Sequence, residues 1–171
     1  VWAPDSAVIY PEGQDSAARL RAPADLQQHL CGAVRPGHFD GVVTVVARLL
    51  DLVQPRQMWL GEKDWQQLVI LRRLVADLPS PVAIRAVATV READGLALSS
   101  RNQYLSPGER QRAAELPATL RTVNPKTPLE SVRAALGSAG LEVEYVEKVD
   151  PVTLQPCEAE RAITLLAAAV R

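Results

Sequence analysis

Lys63 is one of only three lysines in the chain, and it stands in the stretch Gly61-Glu62-Lys63-Asp64 between two apolar runs. Arg56 to Leu60 reads as a short strand. Glu62 to Leu78 reads as a helix, with Trp65, Leu68, Leu71, Val75 and Leu78 three or four residues apart. A strand end followed by a helix start is where open α/β sheets bind their ligands. The helix N-terminus offers unpaired N–H groups and partial positive charge, which suit an anion. Glu62 and Asp64 agree with that dipole and Lys63 opposes it. An anionic ligand shared between the N–H groups and Lys63 would resolve the conflict. Gln67 follows at helical spacing and is expected on the same face as Lys63 and Asp64. The same residues also read as a solvated charge cluster.

A second group lies in "DGLALSSRNQYL", residues 94–105. Asp94-Gly95 signals a turn. Ser99 and Ser100 carry hydroxyls, and Arg101 carries a planar fork of donors that matches a phosphate. This stretch equally reads as a polar interdomain loop. In "RPGHFDG", residues 35–41, His38 is open to a catalytic or a structural reading; His29 is assigned nothing. Cys31 and Cys157 lack metal-ligand spacing and read as reduced thiols.

The elements that must position these groups follow from pattern. Val1 to Ala3 reads as a strand end, residues 4–16 as loop, and Asp25 to Cys31 as a short helix. Val42, Val45, Val46, Leu49 and Val53 share a helical face. Val82 to Val90 is a further strand. Alternating strands and helices imply an α/β layered fold with parallel strands. Beyond residue 90 the character changes. "SPGE" (106–109) and "TPLE" (127–130) both have the form of a capping box with Pro at the first helical position. Leu129, Val132 and Leu136 line the second helix, and Gly140 ends it. "LEVEYVEKV" alternates on Leu141, Val143, Tyr145 and Val149, and "AITLLAAAV" reads as a last strand, so a small α+β unit follows the first. The 171 residues are 47% hydrophobic and 23% charged with net charge −1, which gives no basic field for nucleic acid. No apolar run approaches the roughly 20 residues of a membrane span.

"RPGHFDGVVTVVARLLDLVQP", "GEKDWQQL" and "VREADGLALSSRNQYL", in this order and spacing, closely resemble the pantothenate synthetases (pantoate–β-alanine ligases). The resemblance covers nearly the whole chain, though after residue 106 only in general character. It implies a Rossmann-like nucleotidyltransferase domain, 1–89 here, followed by a small α+β lid domain, 90–171. It implies ATP, with Mg²⁺, as the activating substrate, pantoate and β-alanine as the others, a cytoplasmic setting and a homodimer. Carried over by motif, Gly61, Glu62, Lys63 and Asp64 are the ATP-binding turn. Val90, Leu98, Ser99, Ser100 and Arg101 are the ATP-contacting stretch of the second domain. Lys63, Ser99 and Arg101 would act on the phosphates during reaction. Gln67 would hydrogen-bond pantoate, with Val42, Val45 and Val46 as the apolar wall of its pocket.

The departures are as specific as the matches. The family's His-x-x-His nucleotide motif and its upstream glutamine are absent, and Ala88 stands where many members have Pro. Both chain ends read as cut. Some relatives are fused to a cytidylate kinase, so the resemblance admits a longer parent polypeptide. Two other readings stay open: a non-catalytic nucleotide-binding or dimerisation fragment, and another adenylate-forming nucleotidyltransferase. Adenylation needs donors on several sides of the α-phosphorus, held in place before reaction. The 171 residues alone are therefore expected to be inactive. Pantoate-dependent exchange of labelled pyrophosphate into ATP should be absent from this segment and present in the same segment extended upstream by its native sequence; similar rates would refute the expectation.

Overall fold

The computed structural model describes residues 1–159 and 161–170. Its centre is a strand–helix–strand unit. Strand β1 (Gln57–Gly61) is followed by helix α4 (Trp65–Asp77) and strand β2 (Ala83–Val87). The two strands pair in parallel, from Gln57 opposite Ala83 to Gly61 opposite Val87. Three helices precede them: α1 (Ser6–Ile9), α2 (Leu30–Val34) and α3 (His38–Val53).

Helix α3 forms despite its run of β-branched residues. Gly37, at φ 78°, turns the chain into it, and Gln54, at φ 48°, closes it with an N–H donated to the Leu50 carbonyl. The buried face is Phe39, Val43, Val46 and Leu50. It is rotated from the expected one: Val42, Val45 and Leu49 are half-buried and Val53 is 51% exposed. Polar ties set this rotation. Thr44 Oγ1 accepts from Leu20 N at 2.9 Å and donates to the Asp40 carbonyl, while Asp40 Oδ1 accepts from Ala22 N at 2.9 Å. These bonds strap residues 20–22 onto α3 and turn its neighbouring face inward.

Helix α4 starts three residues later than its pattern predicts. Glu62–Asp64 forms a separate 3₁₀ turn, because Asp64 (φ −100°, ψ 58°) lies outside the helical region. Leu68, Val69, Ile70 and Leu71 are all buried, so two adjacent faces are covered; Trp65, Val75 and Leu78 are half-buried.

The N-terminal segment departs most from expectation. Val1 to Ala3 belongs to no strand and is exposed, and the region read as loop contains α1. The expected helix at 25–31 is broken into a 3₁₀ turn, Ala24–Leu26, and α2. Leu30, at φ 58°, interrupts the path. The break is held by Gln66, only 5% exposed. Its Nε2 donates to the carbonyls of Leu26 and His29, both at 2.9 Å, and its Oε1 accepts from Gly32 N at 3.3 Å.

In the second half, helix α5 (Pro107–Ala113) begins at Ser106 with the complete capping box to Glu109. The second expected box does not form. Thr127 Oγ1 instead accepts from Asn124 N at 2.9 Å, and Pro128 occupies the cap position of α7 (Leu129–Ser138). Between them lies a helix the pattern does not announce, α6 (Glu115–Thr122); its Pro117 falls in the first turn, where an N–H would lack an intrahelical partner anyway. Val132 and Leu136 are buried, and Gly140 at φ 78° turns the chain out of α7. Strands β3 (Leu141–Val149) and β4 (Ile163–Val170) pair antiparallel. A bulge between Val143 and Tyr145 breaks the expected alternation, so Leu141, Val146, Lys148 and Val149 are the buried positions. Lys148, 8% exposed, is satisfied by the carbonyls of Pro125 (2.7 Å) and Thr127 (2.9 Å).

Among the described residues two apolar cores result. The larger joins α3 and α4 to Leu26 and Leu30, and also takes in Val149 and Leu154 from the C-terminal half. The smaller gathers Val132, Leu136, Leu141 and Val146. Gln66→Leu, in the full-length protein, would strand two carbonyls and an N–H beneath the first core, at about 1–3 kcal/mol for each group left without water. The expected result is a lower urea midpoint with an unchanged m-value; an unchanged midpoint would show that the Gln66 bonds contribute nothing net.

Candidate functional site

Because β1 and β2 are parallel and Gly61 lies opposite Val87, both chains leave the sheet at the same edge. The Glu62–Asp64 turn follows one strand there, and residues 88–90 follow the other. This is the carboxyl edge at which α/β sheets place ligands. Gly61 is exposed, Glu62 half-buried, and Lys63 and Asp64 exposed. The Lys63 ammonium, with its side chain 42% exposed, has one ion-pair partner among the described residues, Asp64 Oδ1 at 3.7 Å. An exposed pair at that distance holds the lysine only weakly.

Lys63 and Asp64 sit in the 3₁₀ turn and Gln67 is the third residue of α4, so the single helical face expected for the three does not exist as such. Gln67 is half-buried, and its side chain has no hydrogen-bond partner among the described residues. Its neighbour Gln66 points into the core. One glutamine of the pair is thus structural and the other is available. The helical period carried the signal, since Gln66 lies three and four residues before Val69 and Ile70.

The second predicted group forms a small hairpin and a turn. Arg91 and Ala97 make an antiparallel bridge, and Leu98 N donates to the Val90 carbonyl at 2.9 Å. Val90 and Leu98 are therefore neighbours, and both are strongly exposed. Asp94-Gly95 makes the turn as expected, with Gly95 at φ 87° and Asp94 Oδ1 accepting from Leu96 N at 3.0 Å. Ser99 caps the 3₁₀ turn Ser100–Tyr104, its Oγ accepting from Arg101 N at 3.3 Å. Ser100 and Arg101 are exposed, and the Arg101 guanidinium has no hydrogen bond or ion pair among the described residues. Among the described residues no hydrogen bond or ion pair joins this turn to residues 61–67.

Val46 is buried, while Val42 and Val45 are half-buried against the first core. His38 is the first residue of α3, its ring edge-on to Phe39 at 5.0 Å. His29 Nδ1 lies 3.6 Å from Glu147 Oε2, and Leu30 N donates to the other oxygen of that carboxylate. Neither histidine is placed with the two groups above. Both cysteines are free thiols.

One polar neighbourhood was not visible in the sequence. Burial pushes the Tyr145 hydroxyl up to about 12, with the charges of Cys31, Glu144 and Asp64 adding and Arg35 opposing. Burial likewise raises Cys31, while Arg35 lowers it and Glu144 and Asp64 raise it. Tyr145 and Cys31 are thus within electrostatic reach of the Glu62–Asp64 turn, and Tyr145 stays neutral at physiological pH. The indole Nε1 of Trp65, directly after that turn, donates to the Pro151 carbonyl at 3.0 Å.

Residues 1–171 match the model of a family described as pantoate-beta-alanine ligase. The chain is 69% identical to the bifunctional pantoate ligase/cytidylate kinase of Synechococcus sp. (strain CC9605), covering 100% of this chain and 36% of the relative. It is 67% identical to the enzyme of the same description from Parasynechococcus marenigrum (strain WH8102), covering 100% of this chain and 34% of the relative. It therefore spans about a third of the length of these relatives. Among solved structures it resembles pantothenate synthetase from Thermus thermophilus, with TM-score 0.85 and 42% identity over 98% of this chain and 64% of that one. It also resembles the pantoate-beta-alanine ligase of Francisella tularensis complexed with beta-gamma ATP and beta-alanine, with TM-score 0.76 and 29% identity over 95% of this chain and 60% of that one. With the α/β fold, the turn at the sheet's carboxyl edge and a match along its whole length, the chain belongs to the pantoate-beta-alanine ligase family.

Proposed function

We propose that this chain is the ATP- and pantoate-handling part of an enzyme that condenses pantoate with β-alanine. The observation that carries the reading is the Gly61–Asp64 turn: it leaves a parallel strand pair at its carboxyl edge and presents Lys63 with only a loose protein partner. In the first step a pantoate carboxylate oxygen attacks the α-phosphorus of ATP. The bond to the bridging oxygen breaks, pyrophosphate leaves, and pantoyl adenylate remains. In the second step the β-alanine amine attacks the acyl carbon, the amide bond forms, and AMP departs with the electron pair.

Gly61, Glu62 and Asp64 shape the ATP turn, and Lys63 offsets charge gathering at the α-phosphorus. Val90 and Leu98 flank the second ATP stretch, where Ser99, Ser100 and Arg101 hold phosphate oxygens. Gln67 donates to pantoate, and Val42, Val45 and Val46 form the apolar side of its pocket. Mg²⁺ enters bound to the triphosphate, as part of the substrate. The division of labour places a nucleotide and pantoate domain at 1–89 and a lid at 90–171. The enzyme is a cytoplasmic homodimer working in coenzyme A biosynthesis. Among the described residues no helix is long and apolar enough to cross a membrane.

In the full-length protein, Lys63→Ala should slow single-turnover adenylation by roughly a hundredfold or more while pantoate binding changes little, because one preorganised charge at the reacting phosphate is lost. Equal adenylation rates in variant and parent would rule out this role. Gln67→Ala should act mainly on pantoate, weakening its apparent affinity by about 1–3 kcal/mol. A variant that weakens ATP and spares pantoate would move Gln67 out of the pantoate site.

A further inference from the structure

Arg110 lies in α5, outside every segment assigned to ATP or pantoate. A single nitrogen, Nη2, stands 2.7 Å from Glu92 Oε2 and 2.8 Å from Asp94 Oδ2. The other Glu92 oxygen accepts from Asn102 Nδ2, which also donates to the Ala97 carbonyl at 3.0 Å. Asp94 uses its second oxygen to fix the hairpin turn through Leu96 N. Two carboxylates, one guanidinium and one amide therefore bind together three pieces of chain: the hairpin 90–98, the turn Ser100–Tyr104 and α5. The three charged side chains are only 27–34% exposed, so salt and water screen them less than a surface pair. Glu92 is held below the ordinary carboxylate range first by the Asn102 amide and then by Arg110; Asp94 is held down foremost by Leu96 N–H, with Arg110 adding.

The charge count makes Arg110 more than a strut. Glu92 and Asp94 carry two negative charges, and Asn102, which touches Glu92, adjoins Arg101 in sequence. Arg101 has no protein partner among the described residues, although these carboxylates belong to the hairpin that leads into its turn. Removing the Arg110 guanidinium would leave both carboxylates without this counter-charge, ready to capture Arg101. We infer that Arg110 is a positioning residue for the phosphate-binding turn: by neutralising Glu92 and Asp94 it keeps the Arg101 guanidinium free for the triphosphate. This inference rests on the assignment of Ser99 to Arg101 to ATP.

The test is steady-state kinetics of the full-length protein with ATP varied and pantoate and β-alanine saturating. Arg110→Gln should raise the KM for ATP about tenfold, the scale of one uncompensated charge at a binding site, with the KM for pantoate unchanged within about twofold. The triple variant E92Q/D94N/R110Q removes the cation together with both anions and should recover most of that loss. In an Arg101→Gln background, Arg110→Gln should add nothing further. A triple variant as poor as Arg110→Gln would reduce Arg110 to a structural tie and overturn the inference. So would an unchanged ATP KM in Arg110→Gln where Arg101→Gln raises it. An Arg101→Gln variant with normal ATP KM would sink the phosphate-binding assignment itself. Should Arg110→Gln fail to fold, E92Q/D94N decides alone: its ATP KM should not rise, and a rise overturns the inference.

Discussion

The parallel pairing of β1 with β2 is the constraint from which the site follows. Parallel strands cannot be joined by a tight turn, so the chain must return along a crossover, here α4, to start β2 beside the start of β1. That return obliges both strands to finish at one edge. It also puts the beginning of a buried helix directly after Gly61. The charged turn thus meets a rigid, well-packed element one residue beyond Asp64, and the available Gln67 is carried on that element rather than on a loop. A side chain mounted in this way keeps its direction to a ligand because Leu68, Val69, Ile70 and Leu71 are fixed in the core behind it.

The second candidate turn is built by different means. Nothing in residues 90–104 has a core of its own; the segment is short, polar and mostly exposed. Its shape comes from Asp94 at the turn, the Ser99 cap and the clamp to α5. The two groups therefore differ in kind. One is carried on apolar packing and the other on hydrogen bonds and ion pairs, the easier of the two to deform. Segments held in the second way open at lower free-energy cost than packed ones.

Much of this was legible in the sequence because it was local. The strand before Gly61, the apolar stripe of α4, the Asp94-Gly95 turn and the Ser106 box are each decided by residues a few positions apart. What escaped was decided at a distance. Val53 is exposed although it matches the α3 pattern, because Thr44 and Asp40 bind residues 20–22 and rotate the helix. Residues 25–31 fail to form one helix because Gln66, far along the chain, takes their carbonyls. Thr127 looks like a cap but serves Asn124, and Lys148 draws the neighbouring carbonyls of Pro125 and Thr127 inward. As candidates for the site, Lys63, Gln67, Ser99 and Arg101 were named from type, spacing and family resemblance. Glu92, Asp94 and Arg110 were not, since a charge pair separated by 16 or 18 positions leaves no periodic trace.

The larger core takes Val149 and Leu154 into the same cluster as Phe39, Val43 and Ile70. The packing therefore does not divide near residue 90. For a chain made from its N-terminus onward, this sets an order of events. The helices α3 and α4 can form early and pack on each other, yet the part of their apolar surface that Val149 and Leu154 cover stays open until some eighty further residues have been made, an interval of about 4–16 s at ordinary elongation rates. Closing a contact over that span is slow in itself, because the loop entropy must be met before the burial is gained. The nascent protein thus carries an unfinished patch on its larger core for seconds before its last residues arrive.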